Sequence, residues 1–308
     1  MRDADRPSIL AVHPGALGDV VLFGHLLAAI GGRVTLVAGG EKARLLAGAG
    51  VVDAAVDFES LPMHEVFSDA PLGECCLPGL LGRHDRLISC FGGGRERAER
   101  RLAAACGAVE AAFLPTRPPA DFDGHLTALW ADTLGVPSPA PAPWSIPAEW
   151  RDQAGEALTR LGMPAESPYV VIHPGAGAEV KCWPLDGFLE VASALRADGL
   201  GVVFALGPVE LERWLDGRVE RLRRRFPVMV AEPLAVLAGV LAGAACYLGN
   251  DSGASHLAAA VGTPTLALFG PTDPRHFRPL GRMVEVVRAA GMTDIDVPRV
   301  LAALRQWQ

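Results

Sequence analysis

The chain has 308 residues, half of them hydrophobic, and a formal net charge of −7 at pH 7. This length suits two domains of ordinary size, and this composition excludes global disorder. The acidic balance argues against a nucleic-acid partner and against tight binding to anionic lipid, so membrane association is expected to be peripheral at most. A run of arginines at 218–225 is predicted to form a solvated helix face.

Strands and helices alternate through the first half of the sequence. A short apolar run at 8–12 ends in His13-Pro14-Gly15, as a buried strand does when a turn follows it. Strands are predicted at 8–12, 33–38, 54–58, 86–91 and 111–114. Helices are predicted at 17–30, 41–49, 95–106 and 125–134. This alternation predicts the α/β class, with a parallel sheet covered by helices on both faces.

A proline-rich segment, PSPAPAP at 137–143, separates the two halves, because neither a helix nor a central strand tolerates so many prolines. The predicted domains are therefore 1–143 and 144–308. In the second domain, strands are predicted at 169–172, 201–206, 228–230, 246–248 and 265–269. Helices are predicted at 150–161, 185–198, 234–244, 256–261 and 297–307, and the last of them could pack back on the first domain.

The two halves open with similar sequences, ILAVHPGA at 9–16 and VVIHPGA at 170–176. Each places a Pro-Gly turn at the carboxyl end of a first strand, which is where open α/β sheets bind ligands. The repetition predicts two Rossmann-like domains that face each other across a cleft.

The segment GNDSGASHLAAA at 249–260 indicates a buried strand, a polar turn and a helix that begins at the turn. The first N–H groups of a helix lack partners and lie at the positive end of its dipole, so they suit a phosphate or a sugar hydroxyl. Asp251 and Ser252 are good capping types, Gly253 allows close approach of a ligand, and His256 adds a polar side chain. Capping of a helix that binds nothing is the alternative.

The first-half turn contains His13, Gly15 and Gly18 and leads to Asp19 in the first turn of a helix. A carboxylate there is stabilised by the helix dipole and can take a proton from an incoming hydroxyl, which makes Asp19 the candidate general base. A plain helix cap is the more common role for such an aspartate.

Two further charged residues follow strands of the second half. Lys181 closes the glycine-rich loop 173–181, where backbone and ammonium suit a phosphate, although the Walker A ending is absent. Glu210 follows the strand 201–206 and can accept both hydroxyls of a ribose. A surface lysine and a solvent-exposed glutamate are the ordinary alternatives. His, Asp and Glu residues show no metal-ligand spacing, so neither a metal nor another cofactor is predicted.

The six cysteines show neither CxxC pairs nor zinc spacing, which favours a reducing compartment. The charged start at 1–7 lacks the apolar core of a signal peptide, and the apolar run 234–249 is too short to cross a membrane. A cytoplasmic protein is expected.

Four segments, in this order, resemble glycosyltransferase family 9, the heptosyltransferase family. The matching residues are GDV at 18–20, PGA at 174–176 with KCWP at 181–184, the turn 207–210, and the long motif from Asp251 to Pro274. The resemblance implies a GT-B fold and a metal-independent, inverting transfer of a sugar from a nucleotide-diphosphate donor, which is ADP-heptose in the best-known members. The implied acceptor is a cell-envelope glycan or glycolipid such as the lipopolysaccharide core, reached from the inner face of the inner membrane.

The resemblance also implies a role for each candidate residue. Asp19 would be the general base, Lys181 would neutralise the diphosphate, and Glu210 would hold the ribose. Asp251 would contact the donor sugar, and the phosphates would run along Ser252, Gly253 and His256.

Two departures from the family pattern leave alternatives open. Many members carry a basic residue just before the first turn, where this chain has His13-Pro14-Gly15-Ala16, and Cys182 stands where arginine is frequent. The acceptor and the donor sugar therefore stay undetermined, as does the oligomeric state. A non-catalytic or divergent nucleotide-sugar-binding paralogue is the competing hypothesis. A dehydrogenase is weaker, since neither half shows GxGxxG after its first strand.

Overall fold

The computed structural model of the protein describes residues 6–164 and 167–307. The chain divides into two compact units, Met1–Ala140 and Pro141–Gln308, and the division falls inside the proline-rich segment. The signal-peptide prediction depends on the charged start of the chain. Most of this start, residues 1–5, lies outside the described residues.

The described part of the first unit contains one sheet of five parallel strands in the order β3-β2-β1-β4-β5. These strands are β1 (Ser8–Val12), β2 (Arg33–Ala38), β3 (Ala54–Asp57), β4 (Arg86–Ser89) and β5 (Glu110–Phe113). The helices are α1 (Leu17–Ala29), α2 (Gly40–Gly48), α3 (Leu77–Leu81), α4 (Glu96–Ala105) and α5 (Leu126–Leu134). The central strand β1 is apolar on both faces because helices cover both sides of the sheet.

The described part of the second unit contains a sheet of six parallel strands in the order β11-β10-β9-β6-β7-β8. These strands are β6 (Tyr169–His173), β7 (Gly201–Leu206), β8 (Val228–Val230), β9 (Cys246–Asn250), β10 (Thr265–Phe269) and β11 (Val284–Arg288). The helices are α6 (Ala148–Arg160), α7 (Leu185–Ala197), α8 (Pro208–Arg213), α9 (Arg218–Arg223), α10 (Leu234–Ala242), α11 (Gly253–Ala260), α12 (Pro274–Phe277) and α13 (Val297–Arg305).

In each sheet the strand order reverses beside the first strand of the unit. The neighbours of β1 are β2 and β4, and the neighbours of β6 are β7 and β9. At such a reversal, the loops after two neighbouring strands run to opposite faces of the sheet. They leave a crevice between them at the carboxyl ends of the strands. The turn after β1 and the turns after β6 and β9 therefore lie where ligands bind in this class of sheet.

The sequence missed some elements of the second unit. Strand β11 was not predicted because, at the sheet edge, only Val287 among its residues is fully buried. Helix α8 has six residues, too few for apolar periodicity to show. Helix α13 packs within its own unit, where its side chains Val300 and Leu304 are buried in the core.

The apolar run 234–249 forms helix α10 and then enters strand β9, as predicted for a buried helix that leads into a strand. No helix among residues 6–164 and 167–307 has the length and apolar character needed to cross a membrane. The six cysteines carry free thiols, and Cys90, Cys106 and Cys246 are buried, as expected of small core residues.

Candidate functional site

Three adjacent strands of the second sheet bring the candidate residues of that unit to one edge. Strands β9, β6 and β7 lie side by side and end at Asn250, His173 and Leu206. The glycine-rich loop follows β6, Glu210 follows β7, and Asp251 follows β9. Parallel strands point their carboxyl ends to the same edge, so these segments converge.

Lys181 and Asp251 form an ion pair at this edge. The Lys181 ammonium donates to Oδ2 of Asp251 at 2.7 Å. The Asp251 side chain is 9% exposed and that of Lys181 34% exposed. The surface-lysine alternative is therefore wrong, because the side chain turns inward onto a nearly buried carboxylate 70 residues away in sequence.

Helix α11 begins beside Asp251 without a side-chain cap. Ser252 occupies the capping position, but its side chain makes no capping hydrogen bond. The Ser252 hydroxyl instead lies 3.3 Å from that of Ser255, which donates to the Asn250 carbonyl at 2.5 Å. Ser252 thus occupies the capping position that its residue type indicated, without supplying a side-chain cap. The uncapped N–H groups of Gly253 and Ala254 suit an anion. His256, on the same helix, is buried.

Glu210 is buried rather than exposed. Its carboxylate is 4% exposed, and Oε2 accepts the Gly207 N–H at 2.8 Å. Oε1 lies 4.0 Å from Nε2 of His173, whose Nδ1 donates to the Ala205 carbonyl at 2.8 Å. A glutamate three residues after a capping glycine folds back onto the helix start, which is why the solvent-exposed alternative is wrong.

Asn250 is a structural residue that the sequence analysis missed. It is the single asparagine of the chain and is fully buried at the end of β9. Its Nδ2 donates to the carbonyls of Pro174 and Gly175 at 2.8 and 3.3 Å, and its Oδ1 accepts the Trp183 N–H at 3.0 Å. Asn250 therefore holds both ends of the glycine-rich loop.

Two arginines hold the outer side of the same loop. Arg213 donates to the Gly177 carbonyl at 2.8 Å. Arg218 pairs with Glu179 at 2.8 Å and stacks over the ring of Trp214 at 4.8 Å. The predicted solvated arginine face on α9 thus includes one side chain that braces the loop.

Cys182 adds no charge to the site. Burial raises the pKa of its thiol to about 11, with smaller contributions from nearby carboxylates. The thiol is therefore neutral at pH 7, and it donates weakly to the Ala178 carbonyl at 3.6 Å. The charged residue next to Cys182 in the sequence is Lys181, which carries the positive charge.

In the first unit, the turn after β1 brings the candidate base next to His13. Helix α1 has Ala16 at its capping position, and the Ala16 N–H donates to Oδ2 of Asp19 at 3.2 Å. The Gly15 N–H donates to Nδ1 of His13 at 3.0 Å. Gly15 has no room for a side chain, because a Cβ atom there would lie 2.5 Å from Cε1 of His13. Asp19 therefore caps its own helix and lies just past the carboxyl end of β1.

His13 is a neutral, buried ring. Burial, with a smaller contribution from the Lys42 ammonium, lowers its pKa to about 4. Since Nδ1 accepts a hydrogen bond, the proton resides on Nε2. The ring packs against Phe23 and Trp130, with centroids 5.2 and 6.1 Å away. His13 thus supports the turn and supplies no charge to it.

Among the described residues, no three His, Cys, Asp or Glu side chains are grouped closely enough to hold a metal ion. The charged groups that meet at the second-sheet edge include the Lys181 ammonium and the carboxylates of Asp251 and Glu210. Such a set suits hydrogen bonding to a phosphate and to hydroxyls.

Two α/β units with parallel sheets are the architecture of GT-B proteins, and solved glycosyltransferase structures have the same fold. A glycosyltransferase family 9 protein from Veillonella parvula superposes with a TM-score of 0.80 at 21% identity, over 99% of this chain and 98% of that one. The ADP-heptose lipopolysaccharide heptosyltransferase II of E. coli superposes with a TM-score of 0.73 at 18% identity, over 97% and 98%. The predicted α/β GT-B fold with two Rossmann-like domains is confirmed.

The sequence match identifies the family. Residues 125–298, more than half of the chain, match glycosyltransferase family 9 (heptosyltransferase). The chain therefore belongs to this family, as its motifs predicted. Lipopolysaccharide heptosyltransferase 3 of Escherichia coli K12 is 35% identical over 141 residues, which are 42% of this chain and 38% of that protein. The chain thus spans well under two thirds of the length of this curated relative.

Proposed function

We propose that the protein is a glycosyltransferase that moves a sugar from a nucleotide-diphosphate donor to a glycan or glycolipid acceptor. The observation that carries the proposal is the Lys181–Asp251 pair at the uncapped start of α11. An ammonium and free helix N–H groups suit a diphosphate, and the adjacent carboxylate suits sugar hydroxyls. The buried Glu210, in the first turn of α8 just after β7, suits the ribose.

The names of the relatives favour ADP-heptose as donor and the lipopolysaccharide core as acceptor. One E. coli structure of the same fold, 22% identical, is a heptosyltransferase with ADP, and another is an ADP-heptose heptosyltransferase. By this proposal the protein works in the cytoplasm, at the inner face of the inner membrane. Its association with that membrane is peripheral.

The proposed mechanism is a single displacement with inversion at the anomeric carbon. Asp19 takes the proton of the acceptor hydroxyl, whose oxygen attacks the anomeric carbon as the bond to the nucleoside diphosphate breaks. Lys181 and the α11 N–H groups stabilise the negative charge that develops on the departing diphosphate. Asp251 orients the donor sugar, and His256 lines the phosphate path.

Native mass spectrometry with a panel of nucleotide sugars tests the donor assignment. We expect an ADP-linked sugar to be retained by the intact chain and a UDP-linked or GDP-linked one to be lost. Binding of a nucleotide sugar without release of free nucleotide, in the presence of any acceptor, would favour the non-catalytic paralogue. The absence of binding by every nucleotide sugar would contradict the proposal.

Lys181→Ala is expected to weaken ADP binding by roughly 1–3 kcal/mol, the range for a charge-assisted hydrogen bond. Titration calorimetry measures this loss. Arg196, whose side chain stacks on Phe226 and donates to the Arg225 carbonyl, offers a surface control in Arg196→Ala. An ADP affinity of Lys181→Ala equal to that of the control would remove Lys181 from the site.

Gly175→Ala is expected to displace the Glu210 carboxylate. A Cβ atom at Gly175 would lie 1.9 Å from Oε1 and 2.2 Å from Cδ of Glu210. Loss of one hydrogen bond to the ribose should weaken ADP binding about tenfold. Gly177→Ala is the matched control, since no atom outside its neighbours lies within 4 Å of a Cβ there. An ADP affinity of Gly175→Ala equal to that of the parent protein would exclude Glu210 as a ligand for the nucleotide.

Transfer is expected to be independent of divalent metal, because the proposed diphosphate site relies on an ammonium and helix N–H groups. Rates measured after EDTA treatment should equal those of the untreated protein. A loss of transfer with EDTA that magnesium restores would contradict this part of the mechanism.

A further inference from the structure

Lys42 contacts the turn that leads to Asp19. Strands β1 and β2 are neighbours, and α2 begins directly after β2. The Lys42 ammonium crosses from α2 and donates to the Gly15 carbonyl at 2.6 Å. A Cβ atom at Gly39 would lie 2.7 Å from Cε of Lys42, so this glycine leaves the space for the lysine stem.

Local structure gives no reason for a lysine at this position. Lys42 is the third residue of α2, where the positive end of the helix dipole disfavours a cation. The side chain is half-buried, and its ammonium donates to a turn 27 residues earlier in the chain. The position is explained by the contact with Gly15.

One peptide group connects Lys42 with the candidate base. The Gly15 carbonyl and the Ala16 N–H belong to the same peptide unit. Its oxygen accepts from the Lys42 ammonium, and its N–H donates to Oδ2 of Asp19 at 3.2 Å. A cation on the carbonyl polarises the peptide and strengthens the hydrogen bond that its N–H donates.

Two other side chains lie at this turn. His13 accepts the Gly15 N–H, so both polar groups of Gly15 are bonded to side chains. Cys90 follows β4 and is buried. Burial raises the pKa of its thiol, and the nearby Asp19 carboxylate raises it further. Neither side chain carries a charge at pH 7. Lys42 brings a cation to the turn.

We propose that Lys42 is a positioning residue for Asp19 and acts through the Gly15–Ala16 peptide. The proposal rests on the proposed function, in which Asp19 is the base. Lys42 fixes the peptide, and the peptide fixes the carboxylate that faces the acceptor hydroxyl.

Lys42→Met removes the ammonium and keeps most of the stem. We expect kcat to fall about tenfold, which is the size of effect expected from loss of one charge-assisted hydrogen bond. The KM for the donor should be unchanged. Lys42→Arg keeps a donor and should recover most of the rate. Arg44→Met, which removes an exposed cation from the same helix, should behave as the parent.

A double-mutant cycle separates this role from direct contact with an acceptor. If Lys42 acts through Asp19, Lys42→Met should lower the rate of Asp19→Asn by less than twofold. A full further tenfold loss in the Asp19→Asn background would overturn the proposal, and so would a parental kcat of Lys42→Met.

Hydrogen exchange of the Ala16 amide, measured by NMR, tests the contact without any activity. Lys42→Met should speed this exchange severalfold, and Arg44→Met should not. An unchanged Ala16 exchange rate would overturn the proposal, even in a protein that transfers sugar. Faster exchange in a protein that transfers no sugar would instead support the Lys42 contact and contradict the proposed function.

Discussion

Asp19→Asn is expected to lower the rate of sugar transfer on the order of a hundredfold or more, as loss of a general base does. The amide oxygen can still accept the Ala16 N–H that Oδ2 of Asp19 accepts at 3.2 Å, so the start of α1 should keep its structure. The amide cannot take a proton. Donor affinity should be unchanged, because the candidate donor residues belong to the second unit.

Turnover, ADP affinity and melting temperature should be measured on the same preparation of Asp19→Asn. Asp132→Asn, on the exposed side of α5, is the control for loss of one carboxylate. A parental rate would mean that Asp19 only caps its helix. A large fall in melting temperature with a proportionate fall in activity would favour the same structural role.

Asn250→Asp should destabilise the second unit by about 3–5 kcal/mol, as an unpaired buried charge does. The change keeps the shape and the acceptor for the Trp183 N–H. It replaces the Nδ2 donor with a carboxylate oxygen that faces the carbonyls of Pro174 and Gly175. The glycine-rich loop should therefore lose its anchor, and ADP binding should weaken with it.

Chemical denaturation of Asn250→Asp, followed by tryptophan fluorescence, gives the loss of stability. Gln153→Glu makes the same chemical change at the surface, beside Glu149, and should cost no more than about 0.5 kcal/mol. A stability of Asn250→Asp within error of this control would show that the loop does not depend on Asn250.

Periodicity in the sequence predicted most strands and long helices, because burial on one or both faces of a parallel sheet leaves an apolar pattern. Strand ends were less predictable. The predicted strand 86–91 ends at Ser89, since the Ser89 hydroxyl accepts the Phe91 N–H and donates to the Phe91 carbonyl, which turns the chain. The edge strand β11 carries too little burial to show such a pattern.

The candidate residues could be predicted where the chemistry is local to a turn. Asp251 and Asp19 lie at helix starts that can be recognised in the sequence. Contacts between distant segments could not be predicted. Asn250 reaches the glycine-rich loop 75 and 76 residues earlier, and Lys42 reaches Gly15 from another helix. Only the pairing of parallel strands brings these residues together, and a single sequence does not reveal that register.

Release of ADP from ADP-heptose by the purified chain tests the account most directly. The acceptor should be a lipopolysaccharide core that lacks heptose, and Asp19→Asn should be assayed beside the parent. The account predicts acceptor-dependent ADP release by the parent, transfer of one heptose to the core, and a rate for Asp19→Asn lower by about a hundredfold or more. ADP-heptose that binds but is never consumed with this acceptor, or equal rates for the two proteins, would contradict it.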